Sequence, residues 1–113
     1  MDWHESEEKG IPVIHLEGEI DLEWSPDLRK LLQSKSKEKC PALILDFSQV
    51  SYIDSSGLAT IVEYVRDAGA YKGRIALADL QDTVRTIFEM VRLNEIIPHY
   101  ATLDKAVAAV SVP

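Results

Sequence analysis

Along Val13 to Glu17 the side chains alternate, with Val13, His15 and Glu17 in one row and Ile14 and Leu16 in the other. A period of two belongs to a half-buried strand, because successive side chains of an extended chain point to opposite faces. Gly10-Ile11-Pro12 in front of it is a turn signal, which makes Trp3 to Glu7 an edge strand leading into this hairpin strand. The period then lengthens. Ser25-Pro26 reads as an N-cap followed by proline at the first helical position, and Leu28, Leu31 and Leu32 follow at helical spacing, so a first helix is predicted to about Lys39.

Ala42 to Phe47 is apolar except for Asp46, as expected of a central strand covered on both faces. From Ser56 to Ala68 the residues Leu58, Ile61, Val62, Val65 and Ala68 form one helical stripe. Beyond Gly69 and Gly73, Arg74 to Ala78 reads as a strand, and Val84, Ile87, Phe88 and Val91 mark a third helix. Ile96-Ile97 before Pro98 is a short strand candidate, and Thr102 caps a last helix that buries Leu103, Ala106, Val107 and Val110. This alternation predicts an α/β layer fold: a mixed sheet of about five strands, mixed at one edge, with about four helices packed against it.

At 113 residues and 46% apolar composition the chain suits one domain with one substantial core, and no linker, repeat or low-complexity tract divides it. Nineteen acidic against twelve basic residues give a formal charge of -7, which repels phosphate backbones and argues against direct nucleic-acid binding. The basic cluster Lys35, Lys37 and Lys39 falls where the first helix should end, and there cations suit the helix dipole. The sole cysteine, Cys40, allows no internal disulfide, the start from Met1 to Gly10 is polar and acidic, and no apolar run approaches the ~18 residues of a membrane span. The expectation is a cytoplasmic protein without a membrane segment.

Candidate chemistry narrows quickly. His4, His15 and His99 are scattered along the chain and Cys40 lacks a paired thiol, so no metal site is expected. Asp67, Asp79 and Asp82 fall at helix ends and loops and read as solvated. No Gly-x-x-x-x-Gly-Lys loop is present, so no cofactor is expected and any nucleotide belongs to a partner. A nucleophile elbow would need glycine where Ile53 stands. A receiver domain using Asp46 would need an acidic pair after the first strand and a late lysine, neither of which is evident.

The informative stretch is Ser48-Gln49-Val50-Ser51-Tyr52-Ile53-Asp54-Ser55-Ser56-Gly57-Leu58, between the central strand and the second helix. Asp54, Ser55 and Ser56 sit where a helix begins, and Gly57 leaves the backbone open to close approach. Two capping residues satisfy the helix start; the third is surplus. A phosphate on a serine there would meet unpaired N–H groups and the positive end of the dipole. Spacing alone leaves ordinary capping and a phosphate switch both open.

Val50 to Leu58 resembles the signature of STAS domains, in particular the anti-sigma factor antagonists. Gly18-Glu19-Ile20-Asp21 resembles the family's acidic motif after the hairpin strand, and Ala42 to Phe47 its central strand. The resemblance runs from about Val13 to Val110 and implies a single STAS domain over residues 1–113, with its core at about 11–110. It implies that Ser55, directly after the aspartate, is phosphorylated by a partner that is both serine kinase and anti-sigma factor, with Ser56 the alternative acceptor. The unphosphorylated form binds that partner and frees the sigma factor; a serine phosphatase restores it.

Asp21, Asp54, Ser56, Gly57 and Leu58 are then expected on or beside the docking surface. Trp24, in the loop ahead of the first helix, either grips the partner or packs under that helix. Ala59 stands where many members carry a second glycine. No enzymatic activity is implied, and a monomer suits a regulator that exchanges partners. The competing reading within the same fold is an unphosphorylated scaffold or subunit of a stress-signalling or lipid-transport complex, with Ser55 serving as a cap.

Overall fold

A computed structural model describes residues 2–111. Strand β1 (Asp2–Glu8) turns through Lys9-Gly10 into β2 (Ile11–Ile20), and the two pair antiparallel. Helix α1 (Ser25–Lys37), strand β3 (Ala42–Ile53), helix α2 (Ser55–Gly69), strand β4 (Arg74–Ala78), helix α3 (Asp82–Met90), strand β5 (His99–Tyr100) and helix α4 (Leu103–Val110) follow. The sheet runs β1-β2-β3-β4-β5, with every pairing beyond β1-β2 parallel. This is the expected α/β architecture, mixed at one edge. Among the described residues no helix is long and apolar enough to cross a membrane.

Two apolar layers follow from the alternation in the strands. Ile14, Leu16, Leu43, Leu45, Phe47 and Leu77 face helices α1, α2 and α3, and Phe47 meets Phe88 edge-on at 6.2 Å. Ile11, Val13, Ile44, Ala76 and Ala78 face the short α4 through Ala106 and Val107. β3 is thus covered on both sides over its apolar part, as a central strand of a parallel sheet requires.

Several local expectations are corrected. β3 continues six residues past Phe47 to Ile53, because two register shifts against β2, between His15 and Glu17 and between Gly18 and Glu19, absorb extra residues without ending the ladder. Gly18, at φ +101°, supplies a backbone conformation there that other residues rarely adopt. Ser25 is not the cap of α1 but its buried first residue; Trp24 holds the cap position without a side-chain bond.

Val62 and Val91 lie exposed, and Tyr64 and Thr60 take buried places in α2 instead. The last strand sits after Pro98, not at Ile96-Ile97. The N–H groups of Ile96 and Ile97 both turn back to Leu93 O, at 3.0 and 2.8 Å, which commits them to a turn. Lys35 and Lys37 stand in the last turn of α1 as expected, and Lys35 is in addition held beside Glu5 of β1 at 2.8 Å.

Candidate functional site

Ile20 and Ile53 are register partners at the carboxyl ends of adjacent parallel strands. Asp54 N–H donates to Ile20 O at 3.0 Å, so the segments starting at Asp21 and Asp54 leave the sheet side by side. The carboxyl ends of parallel strands are where open α/β sheets gather functional groups, since the loops there diverge and leave backbone groups exposed.

Asp21 organises the first segment. Its main-chain oxygen accepts from Trp24 N at 3.1 Å and Ser25 N at 2.9 Å, and its carboxylate accepts from Trp24 N at 3.1 Å. The turn exposes Leu22 (74%) and Glu23, while Trp24 is half-buried and packs against the core.

Asp54 organises the second. Oδ1 accepts from Ser56 N at 3.0 Å, Gly57 N at 3.2 Å and Ser56 Oγ at 2.5 Å. The Ser56 hydroxyl above all, opposed by partial burial and then supported by the N–H groups of Gly57, Ser56 and Leu22, holds the carboxyl below its usual range. The bond from Leu22 ties the two segments together. A second tie runs through Ser25, whose hydroxyl lies 2.7 Å from Ser56 Oγ and 2.8 Å from Asp21 O. A hydroxyl carries one proton, so with Ser56 donating to Asp54 the single Ser25 proton is shared between Asp21 O and Ser56 Oγ.

Ser55 stands apart from this network. It is the exposed first residue of α2, and its side chain makes no hydrogen bond among the described residues. One expectation changes here. A phosphate on Ser55 would not meet a row of unpaired donors, because Asp54 already holds the N–H groups of Ser56 and Gly57 and its carbonyl takes that of Leu58 at 3.0 Å. Capping by Asp54 and exposure of Ser55 therefore coexist.

The residues expected at the docking surface divide by depth. Ser55 is exposed; Asp21, Asp54 and Ser56 are half-buried; Gly57 and Leu58 point inward. A Cβ on Gly57 would lie 2.7 Å from Ile20 Cγ2 and 2.8 Å from Ile53 Cγ1, so the glycine lets α2 approach the strand ends. Leu58 joins the core cluster. Sequence reasoning missed Leu22 and Tyr52, which are 74% and 44% exposed and flank Asp21 and Asp54 along the chain. The signal was an apolar residue between Asp21 and Glu23, and an aromatic at the outer end of a strand.

Two of the three histidines, scattered along the chain, come together in space. The structure stacks His4 on His15 at 4.6 Å and bonds His15 to Asp46 and Ser6, because β1 folds back on β2 and β3 runs beside it. Among the described residues no group of three or more His, Cys, Asp or Glu is placed to hold a metal ion.

The STAS domain family model matches residues 5–106. An anti-sigma-B factor antagonist of Listeria monocytogenes is 30% identical over 84 residues, which cover 74% of this chain and 74% of the relative. An anti-sigma F factor antagonist of Paenibacillus polymyxa is 26% identical over 93 residues, covering 81% and 80%. The crystal structure of an anti-sigma factor antagonist from Mycobacterium paratuberculosis superposes with a TM-score of 0.88 at 26% identity, covering 97% of this chain and 93% of that one. With the family model spanning most of its length and a solved relative sharing its architecture, this chain belongs to the STAS domain family.

Proposed function

We propose that this protein is an anti-sigma factor antagonist that binds an anti-sigma factor when unphosphorylated and is switched off by phosphorylation of Ser55. The observation that carries this reading is the contrast between two adjacent serines: Ser55 is exposed and its side chain makes no hydrogen bond among the described residues, whereas the Ser56 hydroxyl is locked between Asp54 and Ser25. A kinase needs a hydroxyl it can reach and orient. Ser55 offers one at no cost to the cap, and modifying Ser56 would break the network that shapes the site. The names of the Listeria and Paenibacillus relatives support the same role.

A phosphoserine adds about -1.5 to -2 charges at neutral pH, next to the Asp54 carboxylate and near Asp21. The helix dipole returns only about 0.3 to 1 kcal/mol at an exposed end, so the folded chain tolerates the group without gaining much from it. At an interface an unmatched buried charge costs about 2 to 5 kcal/mol, or about 30-fold to several thousand-fold in affinity. The phosphate therefore acts on docking and leaves the fold in place. In this scheme the partner supplies the serine kinase and the ATP, a serine phosphatase resets the switch, and the protein takes no catalytic part in that switch and works as a monomer in the cytoplasm.

The test is peptide mass spectrometry after incubation with ATP and the anti-sigma factor kinase of the same organism. One phosphate on Ser55, absent from Ser55→Ala, is the expected result. A stable complex that never becomes phosphorylated would replace this reading with that of a scaffold subunit, for which Asp54 capping needs no help from Ser55.

A further inference from the structure

On the sheet face opposite α1 and α2, His15 is held from both sides. Its Nδ1 lies 2.6 Å from Asp46 Oδ2 on β3, and its Nε2 lies 2.7 Å from Ser6 Oγ on β1. Asp46 is itself fixed, since its Oδ1 accepts from Ser48 N at 2.9 Å. The His4 ring lies on that of His15 at 4.6 Å with 13° between planes. An ionised carboxylate only accepts, so Nδ1 carries the proton. In the neutral ring Nε2 is then a bare lone pair facing the Ser6 hydroxyl.

We infer that Ser6 is an activated nucleophile, with His15 as its general base and Asp46 as the residue that positions the base, and that it takes the acyl group of small activated esters or thioesters. The arrangement of nucleophile, base and orienting carboxylate within hydrogen-bond reach is what such chemistry requires. Ser6 is only half-buried, and α4 covers the face over β3, β4 and β5. An acyl donor thus approaches Ser6 across an open face, which favours small and unselective donors. No described strand pairs with the outer edge of β1, so alternate N–H groups along that edge face outward and can receive charge that develops on the carbonyl oxygen.

In the acylation step the Ser6 Oγ forms a bond to the carbonyl carbon as its proton passes to His15 Nε2. The tetrahedral adduct collapses with cleavage of the bond to the leaving alkoxide or thiolate, which departs with or without that proton according to its basicity. Acyl-Ser6 and a neutral His15 remain once any proton left on Nε2 has passed to water. Nothing in this step depends on Ser55.

The probe is p-nitrophenyl acetate with the full chain, followed by release of p-nitrophenolate and by peptide mapping of the acetyl group. Acetyl on Ser6 is expected, absent from Ser6→Ala. His15→Gln and Asp46→Asn should slow Ser6 acetylation by about 100-fold, at the lower end of what a general base contributes. Because the proton of Ser6 moves to His15 in the acylation step, Ser6 acetylation in wild type should show a solvent deuterium isotope effect that disappears in His15→Gln; a merely structural role for His15 would leave that effect unchanged. Acetylation confined to lysines or His4, or a Ser6 rate that His15→Gln leaves unaltered in a variant shown to be folded by circular dichroism, would overturn the inference.

Discussion

The Ser56 hydroxyl reaches Asp54 Oδ1 at 2.5 Å, and through that one bond the capping carboxylate of α2 is joined to Ser25 at the start of α1. The serine beside it, Ser55, is left to solvent. Removing Ser56 should therefore cost more than removing Ser55. Ser56→Ala strips Asp54 of a charge-assisted bond and Ser25 of one of its two partners, for a loss of about 1 to 3 kcal/mol. Ser55→Ala should stay within about 0.5 kcal/mol of wild type. Urea unfolding of the two variants reads the difference, and equal losses would contradict this division of roles.

Asp54 gives the fold a dependence on acid. Its carboxyl is held below its usual range by Ser56, so its folded value lies under the reference of 3.8. The stability it contributes is complete above the unfolded value and is lost as pH falls through the folded one. Asp54→Asn keeps a capping oxygen but cannot titrate. Its melting temperature should fall less than that of wild type between pH 5 and pH 3, and Asp54→Ala should lose about 1 kcal/mol at pH 7. Parallel acid profiles for wild type and Asp54→Asn would show that the carboxylate is not the group responsible.

Two glycines of α2 should respond in opposite directions. At Gly57 a methyl group meets Ile20 and Ile53 at under 3 Å, so Gly57→Ala should cost about 1 to 3 kcal/mol through overpacking. At Gly69 nothing lies within 4 Å of the added carbon, and Gly69→Ala should be neutral or stabilise by up to about 1 kcal/mol. Thermal unfolding of both variants at one pH decides the matter.

The edge strand is tied to the helical layer by Lys35 and Glu5 at 2.8 Å. Burial lowers the Lys35 pKa, but the hydrogen bond and charge of Glu5 outweigh it, with Glu38 and Cys40 adding to them, and the net direction is up. A raised lysine contributes stability below its unfolded value near 10.5 that fades as pH climbs through the folded one. A double-mutant cycle of Lys35→Ala and Glu5→Ala should give a coupling of about 0.5 to 1 kcal/mol at pH 7 and a smaller one above pH 11. Coupling that persists unchanged at high pH would assign the contact to packing of the lysine stem.

The parts legible in the sequence were those that depend on neighbours along the chain. Thr102 caps α4 by accepting from Lys105 N at 3.2 Å, as its place before Leu103 implied, and Arg74 to Ala78 forms β4 with the predicted ends. Where a tertiary contact competed with a local preference, the contact won. Ser25 looked like a helix cap, yet its hydroxyl is drawn to Asp21 O and Ser56; Ile96-Ile97 looked like a strand, yet the turn at Leu93 holds both N–H groups. Val62 fits the apolar stripe of α2 by spacing and is exposed because the stripe is centred on Leu58, Ile61, Tyr64 and Ala68.

From its sequence alone this protein was determined to be an α/β chain with a helix start at Asp54-Ser55-Ser56, because periodicity and capping chemistry act over a few residues. Which serine is exposed, which is locked, and that His15 stands between Ser6 and Asp46 were decided only by the tertiary structure. Ser25 and Ser56, like His15 and Asp46, are 31 residues apart, and only the parallel register of β2 against β3, with the packing of α1 on α2, brings each pair within hydrogen-bond reach.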